Sequence, residues 1–229
     1  MIYITGDTHR NFKRTAAFCD TVESTTDDLL IILGDAGIHY FGSEKDRILK
    51  RQLAEFPITL FCVHGNHEQR PETLGYTEKL WHGGVVYCEP EYPNLLFAKD
   101  GEIYEFIGKK YIVIGGAYSV DKPWRLSDGY GWWPDEQPSE EIRGRVEERL
   151  DAEGWRVDAV LTHTCPNKYL PREMFIGGVD QATVDRATEE WLDVIEDRLE
   201  YNRWYCGHYH TDKTVDKLRF MFEDFLELR

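Results

Sequence analysis

The sequence predicts an α/β fold that starts as a parallel sheet. Short, continuous apolar runs of the kind buried on both faces of a sheet recur from the first residues onward, and helix-period stretches separate the early ones. A third observation, a hairpin-rich middle, calls for a second or mixed sheet region.

The elements follow in order. "IYIT" before Gly6 reads as a strand, "FKRTAAFCDTV" from Phe12 as a helix, and "LLIIL" before Gly34 as the next strand. A second helix spans "SEKDRILKRQLAEF", with Ser43 placed as N-cap and Asp46 three residues on, and "ITLFCV" before His64 is a third strand. This alternation implies βαβ units, hence parallel pairing. From Gly83 to Gly116 come the shorter strands "GGVVYC", "NLLFA", "EIYEFIG" and "KKYIVIGG". A helix from Ser139 closes near Gly154, "DAVLTH" leads to His163, and another helix is expected from Asp180. The chain then runs through "RWYCG", "KTVDK" and "RFMFEDF" as strands. Tyr118 to Glu141 reads as no element: it is a long loop rich in Trp, Tyr, Pro and Gly, too aromatic for disorder, and loops of that length inside a domain are usually functional. No repeat or linker interrupts residues 1–229, so a single domain is expected.

Composition narrows the function. An apolar fraction of 41% and a charged fraction of 30% are globular values. A net charge of −15 excludes a broad basic face for nucleic acid, which counts against a nuclease. It permits a small phosphate-bearing substrate only where positive charge is concentrated locally, and bound metal ions are the densest source. Cys19, Cys62, Cys88, Cys165 and Cys206 show no C-x-x-C spacing, so neither a disulfide framework nor a zinc knot is expected, and Cys165 lacks a neighbouring base to make it a nucleophile. No basic and apolar leader opens the sequence, and no run approaches the roughly 20 apolar residues of a membrane span. The expectation is a cytoplasmic enzyme with no membrane partner. Composition does not reveal its oligomeric state.

Polar residues cluster by position. Asp7 and His9 follow the first strand, Asp35 the second, and Asn66 and His67 the third; His163 follows a later strand, and His208 with His210 the last long one. In open sheets, sites form where loops converge beyond the carboxyl ends of strands. Singly, each has a plainer role: Gly34-Asp35 as a turn, His163 as a satisfied core histidine, Asp7 as the cap of the first helix. What those roles leave unexplained is five of eight histidines, two aspartates and an asparagine falling directly after apolar strands. Imidazole, carboxylate and amide oxygen together suit manganese, iron, zinc and similar divalent ions. His208 and His210, read at strand spacing, share one face, with Tyr209 turned away.

The blocks "GDTH", "GDAG", "GNHE", "LTHT" and "GHYH", in that order, resemble the five motifs of the calcineurin-like metallophosphoesterases, in particular their small bacterial or phage-type members. The resemblance implies a four-layer αββα sandwich, two mixed sheets flanked by helices, which fits the hairpin-rich middle better than one doubly wound sheet. It also implies two divalent ions, drawn from manganese, iron, zinc or nickel, with manganese expected to serve in vitro. Asp7, His9 and His210 would hold one, Asn66, His163 and His208 the other, with Asp35 between them. His67 would lie at the substrate as a catalytic residue. The implied activity is hydrolysis of phosphomonoesters or small phosphodiesters by a hydroxide activated between the metals; the rival from another class is a scaffold that keeps the fold without catalysis.

The chain also departs from the protein phosphatases of that superfamily. "GDAGIHYFG" lacks their Asp-Arg-Gly extension, and His64, not Arg, precedes Gly65, so phosphoprotein specificity is not expected. Arg10 and Arg70 are candidate phosphate contacts because guanidinium forks match phosphate oxygens. Trp124 and Arg125, in the aromatic loop with Trp132 and Trp133, are candidates for folding over the substrate.

Overall fold

The structure, a computed structural model, describes residues 1–229. The first sheet contains β1 (Ile2–Thr5), β2 (Leu29–Ile32), β3 (Thr59–Cys62), β4 (Thr77–Trp81), β5 (Gly84–Cys88) and β6 (Leu95–Ala98). The second contains β7 (Ile103–Phe106), β8 (Lys109–Ile114), β9 (Ala159–Thr162), β10 (Arg203–Cys206), β11 (Lys213–Val215) and β12 (Leu218–Phe220). A last short strand, β13 (Leu226–Glu227), returns to pair antiparallel with β1. The helices are α1 (Lys13–Val22), α2 (Glu44–Ala54), α3 (Lys122–Ser127), α4 (Glu140–Ala152) and α5 (Ala187–Arg198).

Strand order is β13-β1-β2-β3-β6-β5-β4 in one sheet and β11-β12-β10-β9-β8-β7 in the other. Both are mixed: β1, β2, β3 and β6 run parallel in the first, β8, β9, β10 and β12 in the second, and antiparallel neighbours finish the edges. The sandwich follows from alternation along the strands. Leu29, Ile31 and Leu33 point into the core between the sheets with Phe61, Val113 and Leu161. Leu30 and Ile32 point the other way, under α1 and α2 with Cys19, Leu49 and Leu53. On the far side, Ile112, Ile114 and Val160 meet Val146, Leu150, Leu192 and Ile195 of α4 and α5. A strand apolar at every position is therefore lined on both faces, and the layers read α, β, β, α.

Local details differ from the sequence expectations where tertiary contacts outrank local signals. Ser43 is the N-cap of α2 but its side chain makes no capping bond; Asp46 instead accepts from the backbone N–H of Phe41 and Gly42. Ser139 does cap α4, accepting from Ile142 N–H. The helix expected from Asp180 starts at Ala187, since Asp180 caps a separate short turn at Gln181–Thr183. The aromatic loop contains a helix of its own, α3, with Pro123 in its first turn. β13 is too short to have shown any alternation.

Candidate metal centre

All five motif loops meet at one edge of the sandwich, at the carboxyl ends of β1, β2, β3, β9 and β10. Backbone bonds tie them: Thr8 and His9 N–H donate to Asp35 O at 3.2 and 2.8 Å, and Gly207 N–H donates to His163 O at 2.8 Å. Side chains add to this, with Asp35 accepting from His67 N–H at 2.8 Å and Asp7 from His208 N–H at 2.9 Å.

The loops also interlock through their glycines. A Cβ on Gly65 would meet Asp35 Oδ1 at 2.1 Å, one on Gly34 would meet His163 Nδ1 at 2.1 Å, and one on Gly207 would meet Asp7 Oδ1 at 2.4 Å. Each of these three glycines makes room for a functional side chain from a different motif. His9, Asp35, His208 and His210 themselves adopt left-handed backbone, with φ of 45, 50, 68 and 48°. That conformation disfavours residues with a Cβ, although Asp and His tolerate it better than most, and such strain clusters at functional sites. It corrects one expectation: His208 and His210 lie past the end of β10 and share no strand face. Tyr209 lines the same cleft while its hydroxyl meets Thr164 Oγ1 at 3.0 Å.

The donor atoms converge. His210 Nε2 lies 3.2 Å and His9 Nε2 3.7 Å from Asp7 Oδ2, and the two imidazole nitrogens are 2.9 Å apart. Asp7 Oδ2 is buried and has no hydrogen-bond partner, an arrangement that a cation resolves and a purely structural aspartate does not. Deeper in, His163 Nε2 lies 2.8 Å from Asn66 Oδ1 and 3.6 Å from Asp35 Oδ2, with the His208 ring centred 4.9 Å from that of His163. Two triads offer ligand atoms all within 4.8 Å of one another: Asp7, His9, His210 and Asp7, Asp35, His163. Asp7 does not cap α1, whose N-cap is Phe12.

Electrostatics agrees with a cation site. Burial would raise both aspartates, yet the imidazoles of His210, 3.2 Å away, and of His163 hold Asp7 below the ordinary carboxylate value, and those of His163, His67 and His9 do the same for Asp35. Burial pushes His208 down to about 3, so its ring is neutral and ready to donate an electron pair.

A family model for calcineurin-like phosphoesterases matches residues 1–212. The chain belongs to that family. The family is divalent-metal-dependent and hydrolyses phosphoesters, and the nitrogen and oxygen donors assembled here fit such ions. Among solved structures, TT1561 of Thermus thermophilus shares the fold, with a TM-score of 0.52 and 14% identity over 96% of this chain and 87% of that one. AQ665 of Aquifex aeolicus aligns with 88% of this chain and 87% of its own at 17% identity, but its TM-score of 0.36 is too low to bear on the fold. No curated protein matches the chain in sequence.

Four side chains expected at the substrate lie elsewhere. Arg10 turns away to Gly37 O and Asp46 Oδ1, both at 2.6 Å. Arg70 is buried, paired with Asp100 and donating to Asp135 O at 2.6 Å. Arg125 is fully buried behind Asn66, reaching Ser119 Oγ at 3.2 Å and Gly131 O. Trp124 stacks on Tyr130 at the surface, outside the cleft. For the three arginines the reason is common: an arginine in an acidic chain finds a carboxylate or carbonyl to satisfy it before it finds a ligand. His67 does line the cleft, its Nε2 3.9 Å from Asp121 Oδ2.

Sequence reasoning passed over the residues that hold the ligands in place. Glu68, the last letter of "GNHE", is buried and accepts from Gly37 N–H at 2.9 Å and Gly65 N–H at 3.1 Å, tying the second and third loops; burial pushes it up to about 7. Ser119 accepts from Asn66 Nδ2 at 2.9 Å, and Leu33 O binds His163 Nδ1 at 2.7 Å. Glu68 stood in the motif without a role. Ser119 carried no local signal.

Proposed function

We propose that the chain is a two-metal phosphoesterase that acts on phosphomonoesters or small phosphodiesters. Asp7, His9 and His210 would hold one ion, Asn66, His163 and His208 the second, and Asp35 would face both. The observation that carries this is the convergence of two groups of ligand atoms, Asp7 with His9 and His210 and Asp7 with Asp35 and His163, around a carboxylate oxygen, Asp7 Oδ2, that has no partner of its own. The distances from Asp35 Oδ2, 3.9 Å to His9 Nε2 and 3.6 Å to His163 Nε2, support its place between them.

When bound, a divalent pair supplies Lewis-acid polarisation of the phosphoryl group and acidifies water near neutral pH. The chain's own residues supply the rest. Asp7 and Asp35 stay ionised and fix the charge of the pocket. Leu33 O orients His163 through Nδ1, leaving Nε2 toward the ligands, as second partners of metal-binding histidines commonly do. His67 lines the cleft, with burial lowering its pKa despite Asp35 and Asp121; its N–H would donate a hydrogen bond to the phosphoryl group, or the ring, once it has taken up a proton, would pass that proton to the leaving oxygen. Five free, buried cysteines suit the reducing cytoplasm.

The test is metal analysis followed by a manganese-supplemented screen of p-nitrophenyl phosphate, bis-p-nitrophenyl phosphate and cyclic nucleotides. Two metals per chain with turnover of at least one ester is expected. One metal and no hydrolysis would replace this proposal with a structural ion; two metals and no hydrolysis would favour the scaffold.

A further inference from the structure

The cleft holding the ligand cluster continues into a cavity of 370 Å³, the size of a small-molecule pocket. One side carries His67, His208 and the metal-facing groups. The opposite side comes from the stretch between β9 and α5, where Leu170, Phe175, Ile176, Val179 and Val184 line the space. Ile176 is 64% exposed, and neighbouring Met174 40%. Neither joins a hydrophobic cluster of the protein, yet both border the cavity.

A phosphate gains nothing from apolar walls, so the wall must meet another part of the substrate. Its chemistry specifies that part. Tyr118 and Tyr209 add rings to the cavity lining, and Arg186 borders the cavity with its guanidinium 5.9 Å from the Phe175 ring. Aromatic rings and a guanidinium plane are the side chains that pair with flat π faces.

We propose that this wall binds the organic group of the substrate ester and that the group is aromatic, up to fused-ring size. The inference rests on the phosphoesterase proposal and names the substrate class of the same site.

The experiment compares 2-naphthyl phosphate with phenyl phosphate, and the two corresponding methyl diesters, on the metal-loaded protein. The leaving groups are of similar acidity, so their intrinsic reactivity is matched while apolar area differs. The wild type should prefer the naphthyl ester by about tenfold in kcat/KM, expressed in KM, from the area of the second ring. Phe175→Ala and Ile176→Asp should each reduce that preference toward unity with two metals still bound; Ile176 is exposed, so its variant tests the wall without disturbing the core. In parallel, fluorescence titration of the metal-free protein with 2-naphthol should show binding that Ile176→Asp weakens at least fivefold. Equal kcat/KM for the two esters in the wild type, or a preference that both variants retain, would overturn the inference. Absence of turnover on every ester with two metals bound would count against the phosphoesterase proposal, and naphthol binding would then decide the wall by itself.

Discussion

The two halves of the ligand cluster are built differently. Asn66 and His163 are buried at 1% and 0% exposure, and each has a second partner inside the protein: Ser119 behind Asn66, Leu33 O behind His163. The side chains of His9 and His210 are 36% and 47% exposed, and their ring nitrogens meet only each other and the aspartates. The inner half is an extension of the core. In the outer half both histidines are exposed loop residues in left-handed backbone, a conformation His208 of the inner half shares, with the Phe222 ring stacked on His210 at 4.5 Å as its main support. With two ions bound as proposed, rigid support on one side and solvent on the other would hold them with different strength, the inner one fixed and the outer one exchangeable.

The largest effect should come from the residue that faces both halves. Asp35→Ala is expected to release both metals and to lower kcat/KM by about 10³-fold or more, the several kcal/mol a metal contributes to charge stabilisation. Retention of two ions by this variant would remove Asp35 from its bridging place. Next, His67→Ala should lower kcat by about 10²–10⁴-fold with metal content intact, since its ring lines the cleft and lies outside both ligand triads. Loss of metal there would make His67 a ligand.

A smaller change separates the halves directly. Arg125→Met removes the guanidinium that bonds Ser119, the partner of Asn66, and should weaken only the inner ion, by about 10–100-fold. His210→Ala should weaken only the outer one. Competition with a chelator, read as one or two phases of metal release, distinguishes the variants; a single phase in the wild type would mean that the halves do not differ. Acid acts on both. Burial opposes protonation of His163, but Asp35 and Asp7 outweigh it and raise its pKa; the Asp7 carboxylate, 3.2 Å from His210 Nε2, raises that of His210. A metal must displace those protons, so loading is complete above the ordinary imidazole range and falls as pH drops through it, by about tenfold per unit for each proton displaced. His208, pushed to about 3, adds no proton to that count. Metal content that stays constant from pH 8 to 5.5 would contradict the sign.

The same division explains how much was legible in the sequence. Strands β1, β2, β3 and β9 were readable because burial on both faces leaves nearly unbroken apolar runs, and β10, which opens on exposed Arg203, was readable only as a short aromatic stretch; Asp7, His9, Asp35, Asn66, His163, His208 and His210 were readable because each follows one of these strands. Their supports were not. Ser119 and Arg125 reach Asn66 from a loop more than 50 residues away, a juxtaposition that only the paired sheets create. The cleft wall was missed for a related reason: Phe175, Ile176 and Val179 follow neither helical nor strand periodicity, whereas the tryptophan-rich loop drew the eye by composition.

That loop supplies the smallest prediction and the sharpest check on the wall. Of its polar handles, Trp132 Nε1 is engaged by Glu136 Oε2 at 2.8 Å, and Arg125 is turned inward. Trp124 stacks on Tyr130 with ring centroids 4.7 Å apart and is 53% exposed, so truncating it removes one surface stack and uncovers nothing in the core. Trp124→Ala should therefore change stability by about 0.5 kcal/mol and leave KM for both aryl esters unchanged. A rise in KM confined to the naphthyl ester would mean that the loop closes over the cleft during turnover and shares with Leu170–Val184 the work of gripping the organic group. An unchanged KM beside the loss of preference in Ile176→Asp would assign that work to Leu170–Val184 together with Tyr118 at the start of the loop, because these line the cavity and Trp124 does not.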